Sequence, residues 1–328
     1  MLYTEAYPGI YCVSVPLPGN PLKAVNSYFI PPKGGMRGLL VDTGFKAPES
    51  CEVLTAALNE LDADMENTDI FLTHSHSDHA GLSVVVVGEN SKIFVSEADH
   101  ERLTYAGSDR IWESRFSYYL REGFPENVIA SNIRNNPVRI YAPGDSPKYT
   151  SLNEGSFIRA GEFEFECILT PGHSPGHMCL YDRSRKLMLV GDHVLFDITP
   201  NITSWIGFEN SLGQYINSLK KIDAYDVETA LPGHRKSGDF HARIAEIIKH
   251  HEVRLAETLR LVGENPGLPA YELAGKMTWR MRYSTWEDFP PNQKWFAVGE
   301  TIAHLEYLLA ENRIFREVEN GIHVYFKK

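Results

Sequence analysis

Six residues restrict this chain more than any others. They are HSHSDH, residues 74–79, standing directly after the short apolar run DIFLT. Imidazole nitrogens and carboxylate oxygens are good ligands for zinc and related metals. His74 and His76 alternate, so from an extended loop they can converge on one ion, and Asp78 and His79 can then turn toward a second. DIFLT reads as a buried strand, and a strand end is a rigid support that holds ligands in place before a metal arrives. The motif therefore demands a sheet that carries it at its rim.

The remainder of the sequence supplies that sheet. GIYCVSVP, VNSYFIPP and RGLLVDTG are strand-like and are separated by the turn signals PGNP and PPKGG. APESCEVLTAALNELDA has Val53, Leu54, Leu58 and Leu61 at helical spacing. KIFVS is a further strand. Residues 98–146 break the rhythm with a helical, aromatic-rich insert. Strands resume in SFIRAGEFEFECILTPGH, CLYDRSRKLMLVGDHVLF and, after a helix around SLGQYINSLKKI, in ETALPGH. This alternation predicts an α/β layered architecture. From about residue 241 a long amphipathic helix, two further helices and a hairpin about Asn320-Gly321 give the outline of a winged helix. The expected division is a catalytic domain over 1–240 and a winged-helix-like domain over 241–328.

Three more candidate ligands each follow an apolar strand: His173 in LTPGHSPGH, Asp192 in LVGDHVLF and His234 in ALPGH. A histidine or aspartate just past a strand sits at a sheet rim, where α/β proteins place their sites. With HSHSDH they complete the seven ligands a two-metal centre needs.

The ordered set HSHSDH, TPGHSPGH, GDHVLF and LPGH, preceded by LLVDTG, resembles the motif series of the metallo-β-lactamase superfamily over residues 9 to about 236. The resemblance implies a four-layer αβ/βα sandwich with two Zn2+ ions at one edge, iron or manganese being alternatives for the same donors. By position, His74, His76 and His173 hold the first ion, and Asp78, His79 and His234 the second. Asp192 bridges them. Asp42 of LLVDTG matches a buried aspartate that supports the metal loop without binding metal. His177 and His193, beside ligands, are read as supporting residues. Two ions about 3.5–4 Å apart can share one water and lower its pKa toward roughly 7, and the hydroxide so formed attacks a carbonyl or phosphorus. Asp78 is placed to orient it or to accept a proton. No GxSxG motif offers a serine nucleophile.

Composition excludes other classes. The net charge of -11 repels phosphate backbones and makes nucleic acid an unlikely partner. Residues 241–328 carry 12 basic and 12 acidic side chains, and Glu300, Glu306 and Glu311 stand where a DNA-reading helix wants basic ones. The four cysteines form no CxxC pair and are expected as reduced thiols. No charged leader with an apolar run and no stretch of about 20 apolar residues is present, so neither secretion nor a membrane span is expected, and cytoplasm is the default. Apolar faces on the tail helices are compatible with a homodimer.

The substrate expected first is a small-molecule thioester or related ester. GDHVLF resembles the GDxLF pattern of glyoxalase II-like thioesterases, without that enzyme's glutathione-binding helical domain. A lactonase is the weaker alternative, because Leu195 stands where the lactonases compared carry tyrosine. YELAGKM and ETIAHLEYLLAENRI resemble the winged helix of the β-lactamase-like protein 2 group, which includes single-strand endoribonucleases, so a phosphodiesterase is the other alternative. Within the insert, Trp112, Phe116 and Tyr119 are candidates for an acyl pocket and Arg115, with Arg110 and Arg121, for an anionic carrier. Equally, the aromatics serve as the insert's own core.

Overall fold

The structure is a computed structural model and describes residues 2–105, 108–279 and 285–328. Two sheets stand face to face. The first holds β1 (Tyr3–Tyr7), β2 (Ile10–Pro16), β3 (Ala24–Ile30), β4 (Gly38–Val41), β5 (Thr68–Phe71), β6 (Ile93–Ser96) and β7 (Tyr149–Leu152) in sequence order. β1 to β4 are antiparallel neighbours, and β4 to β7 run parallel. The second holds β8 (Phe157–Ala160), β9 (Phe163–Leu169), β10 (Met178–Asp182), β11 (Leu187–Gly191) and β12 (Thr229–Pro232) in the order β12-β11-β10-β9-β8.

Strand alternation builds the layers. In β4, Leu39 and Val41 face the second sheet, whereas Leu40 faces the helical layer outside the first. In β11, Leu187 and Leu189 point between the sheets and Met188 and Val190 point outward. Both faces of β4 and β11 are thus buried, which is why these two strands read as unbroken apolar runs. Outside the first sheet lies α1 (Pro48–Glu60), contributing Leu54, Ala57 and Leu58. The short helices α2 (Ser77–Ala80) and α3 (Ser83–Val86) follow β5. The expected αβ/βα sandwich is present.

Among the described residues of the insert lie four helices, α4 (Glu97–Tyr105), α5 (Asp109–Arg121), α6 (Glu126–Arg134) and α7 (Pro137–Tyr141). Outside the second sheet lie α8 (Ser211–Asp223), α9 (Phe240–Glu264), α10 (Ala270–Lys276) and α11 (Pro291–Ala310), and the chain ends in the hairpin β13 (Ile314–Glu319) and β14 (Ile322–Lys327). One apolar cluster joins Met188 and Val190 of the sheet, Trp112 and Phe124 of the insert and Leu305 and Leu308 of α11. The tail is therefore packed into the body, and its three helices share their core with the insert. All four cysteines are free thiols, with Cys167 and Cys179 buried and pushed up to about 12 by that burial. No helix of the described residues is long and apolar enough to cross a membrane.

Candidate metal centre

β9, β11 and β12 run in one direction and end at the same edge, and β5 of the facing sheet ends beside them. The loops leaving these four strands carry His74 to His79, His173, Asp192 and His234. Their donor atoms converge in three overlapping groups: His74, His76 and His173; His74, His79 and Asp192; and Asp78, His79 and His234. Within the first, His74 Nε2 lies 2.9 Å and His173 Nε2 3.0 Å from His76 Nδ1. Asp192 reaches all sides: its carboxylate lies 3.5 Å from His79 Nε2, 3.5 Å from His234 Nε2 and 3.6 Å from His173 Nε2. His234 Nε2 is 3.5 Å from Asp78.

Four of the five rings are fixed from behind. His79 Nδ1 donates to Asp42 at 2.7 Å, His173 Nδ1 to the Asn201 carbonyl at 3.0 Å and His234 Nδ1 to the Ala24 carbonyl at 2.7 Å. His74 Nδ1 meets the hydroxyl of Thr73, which donates to Asp42. With Nδ1–H spent, the Nε2 atoms are lone pairs, yet His79 Nε2 and His234 Nε2 face each other at 3.3 Å. Two lone pairs at that distance repel, and a cation between them removes the repulsion. Asp192 Oδ1 is also buried with no hydrogen-bond partner among the described residues. The donor set thus fits a metal of the nitrogen- and oxygen-binding kind.

The electrostatics agree. Burial, aided by the neighbouring imidazoles, holds His74 well below its usual range and His76 down to about 3. Burial acts the same way on His79 and His234, but the carboxylates of Asp42 and Asp192 overcome it at His79, and those of Asp192 and Asp78 raise His234 to about 10. The carboxylates demand positive charge here, from protons or from a cation. Asp78 is drawn down to about 2: burial pushes it up, and His234 and His79 outweigh that.

The backbone is shaped to the same end. Asp42 sits at φ 59°, just past β4, and accepts from the Thr73 amide as well as from His79. A Cβ on Gly191 would meet His177 Nε2 and Thr73 Cβ at 2.8 Å, so only glycine lets the Asp192 strand end approach the HSHSDH loop. His177 packs 5.2 Å from the His74 ring and is held by Thr170. His193 is wholly buried behind it.

The family model described as the metallo-beta-lactamase superfamily matches residues 20–234, a span that contains all seven candidate ligands. The chain belongs to this superfamily. A second model, the metallo-beta-lactamase-like C-terminal domain, matches residues 288–328. This metallo-β-lactamase-fold enzyme is 34% identical over 215 residues to the acyl-coenzyme A thioesterase MBLAC2 of Gallus gallus, covering 62% of this chain and 70% of that protein. It is 26% identical over 215 residues to the atrochrysone carboxyl ACP thioesterase of Emericella nidulans, covering 66% and 52%. A metallo-beta-lactamase family protein from Thermus thermophilus has a solved structure with TM-score 0.82 and 28% identity, covering 98% of this chain and 99% of that one. The chain spans 52% to 68% of the length of several curated relatives that it matches.

Trp112 and Tyr119 are buried in the shared core, Tyr119 against Trp295 at 3.9 Å between ring centroids, and Phe116 packs beside them. The Arg115 guanidinium stacks on Trp112 at 4.6 Å. The three aromatics pack in the core. Arg110 and Arg121 instead line a shallow groove with Tyr118 and Ile206. Leu195 is buried and brings no hydroxyl to the centre.

Three neighbours of the site lie outside the motifs. Asp99, at the start of α4 and fully buried, accepts from the Ser75 amide at 2.8 Å, the Gly176 amide at 2.9 Å and the Ser174 hydroxyl at 2.6 Å, tying the first ligand loop to the His173 loop. Trp205 stacks on His76 at 5.6 Å between centroids. The Arg102 guanidinium lies over that indole ring at 4.8 Å from its centroid.

Proposed function

We propose that this chain is a dinuclear zinc hydrolase of acyl thioesters, with an acyl-coenzyme A as the substrate class. The observation that carries the reading is the convergence of seven nitrogen and oxygen donors from four strand ends, on a chain akin to two proteins named as thioesterases. His74, His76 and His173 would hold one ion, Asp78, His79 and His234 the other, and Asp192 would touch both. Two divalent ions bound there would supply an acidified water as nucleophile and positive charge for the carbonyl oxygen. Asp78, kept ionised by its histidine neighbours, orients the attacking water and takes its proton. Asp42, Thr73 and the Asn201 carbonyl keep the imidazoles in the tautomers that aim their free nitrogens inward. Trp205, lying on His76 beneath Arg102, walls one side of the centre with apolar surface and limits the entry of bulk water.

The test is turnover by the metal-loaded protein of a panel comprising acyl-coenzyme A, acyl-glutathione, a lactone, a β-lactam, a phosphodiester and a short RNA. Acyl-coenzyme A is expected to lead every other substrate by at least about tenfold in kcat/KM, roughly 1.4 kcal/mol of transition-state preference. Cleavage of RNA together with silence on every thioester would overturn the reading.

A further inference from the structure

We propose that the C-terminal helices are part of the metal centre: Glu300 of α11, steered by Arg254 of α9, positions His173 through Asn201. The inference rests on the reading of His173 as a ligand of the first ion. On the side away from the other candidate ligands, the His173 ring is oriented by the hydrogen bond from Nδ1 to the Asn201 carbonyl, at 3.0 Å. That carbonyl belongs to a loop beyond β11, outside any strand or helix. The side chain of the same residue tethers it to α11, Nδ2 donating to Glu300 Oε2 at 3.3 Å. Glu300 Oε1 in turn accepts from Arg254 Nε at 3.3 Å.

Arg254 is itself immobile. Its Nη1 donates to Glu257 at 2.7 Å and to the Thr278 carbonyl at 2.8 Å, and its guanidinium lies 4.3 Å over the Trp279 ring. A planar guanidinium held on three sides is a fixed point, and the Glu300 carboxylate inherits its position. The backbone contact reinforces the link. The Ser204 amide donates to the Gly299 carbonyl at 3.3 Å, and a Cβ on Gly299 would come within 2.3 Å of Thr203 Oγ1. Loop and helix therefore touch backbone to backbone one residue before Glu300. An ion pair that served only to fasten α9 to α11 would need no hydrogen bond to Asn201. Partners behind a ligand are typically worth about 10–100-fold in metal affinity. Asn201, Glu300 and Arg254 are positioning residues in this sense, because none of them reaches the ligand atoms.

The test is competitive chelator titration of the whole protein with zinc, paired with cadmium-113 resonance spectra that report the two sites separately. His173→Ala sets the reference for loss of the first site. Asn201→Ala, a truncation on a loop, and Glu300→Gln, which keeps shape and removes charge, are each expected to weaken that same site about 10–100-fold and to shift its resonance. The resonance of the second site should stay in place, and the double variant should lose little more than either single one. Should one variant fail to fold, the other still decides. Unchanged first-site affinity in a folded variant, or equal weakening of both sites, overturns the proposal. Retention of both ions by His173→Ala would instead overturn the ligand assignment beneath it, and neither outcome depends on which substrate is turned over.

Discussion

Replacing Asp192 by alanine is expected to lower thioester turnover on the order of a thousandfold, about 4 kcal/mol of transition-state stabilisation. Asp192 is the residue whose carboxylate lies within 3.6 Å of ring nitrogens from both halves of the cluster, His173 on one side and His79 and His234 on the other. Without it, two divalent ions would be held by five imidazoles and Asp78 alone, and the repulsion between cations would lose its shared counter-charge. The side chain is only 7% exposed, so the carboxylate supplies that counter-charge in a place largely closed to bulk solvent. Steady-state kinetics on an acyl-coenzyme A would reveal the effect. Retention of more than about a tenth of wild-type kcat would show that the carboxylate is not part of the reacting centre.

Asp99→Ala should be the most damaging change outside the ligands, costing about 3–5 kcal/mol in a denaturant titration. The alanine strips the acceptor from the Ser75 and Gly176 amides and the Ser174 hydroxyl together, in a place closed to bulk solvent. Each orphaned buried donor costs about 1–3 kcal/mol. Asp99→Asn keeps the shape but turns one amide NH2 toward donors, so it should cost roughly half as much. Both variants should also bind metal more weakly, since Asp99 ties the loop of His74 and His76 to that of His173. A cost below about 1 kcal/mol for the alanine variant would mean that the two loops are held independently.

The contrast between Asp192 and Asp99 shows what a sequence exposes. Asp192 follows an apolar strand and stands in GDHVLF, so both its place at the sheet edge and its chemistry were legible. The other six candidate ligands were legible in the same way, because donors from strand ends carry the mark of the strand before them. Asp99 opens a helix in SEADHERL and works through backbone amides at residues 75 and 176, and partners of that kind leave no trace in residue type. Asn201, Trp205 and Glu300 were hidden likewise, each acting across a distance in sequence that no local pattern spans.

The sheets followed the same rule. Interior strands such as β4 and β11 were readable from runs buried on both faces, whereas β1 is mostly exposed and β7 is YTSL, half polar at the sheet edge. The aromatic insert was legible as helical but not in its purpose. Trp112 and Tyr119 are covered partly by α11, whose Trp295 lies more than 170 residues further along the chain, and composition alone cannot tell a lid from a core that is completed so far away.

The proposed chemistry needs two metal ions acting together, and a count of them decides whether both are there. Mass-spectrometric metal analysis of the purified, zinc-supplied chain after exhaustive dialysis is expected to give two ions per polypeptide. One ion per chain, or none, in a protein that still hydrolyses an acyl-coenzyme A at full rate would rule out a two-metal centre.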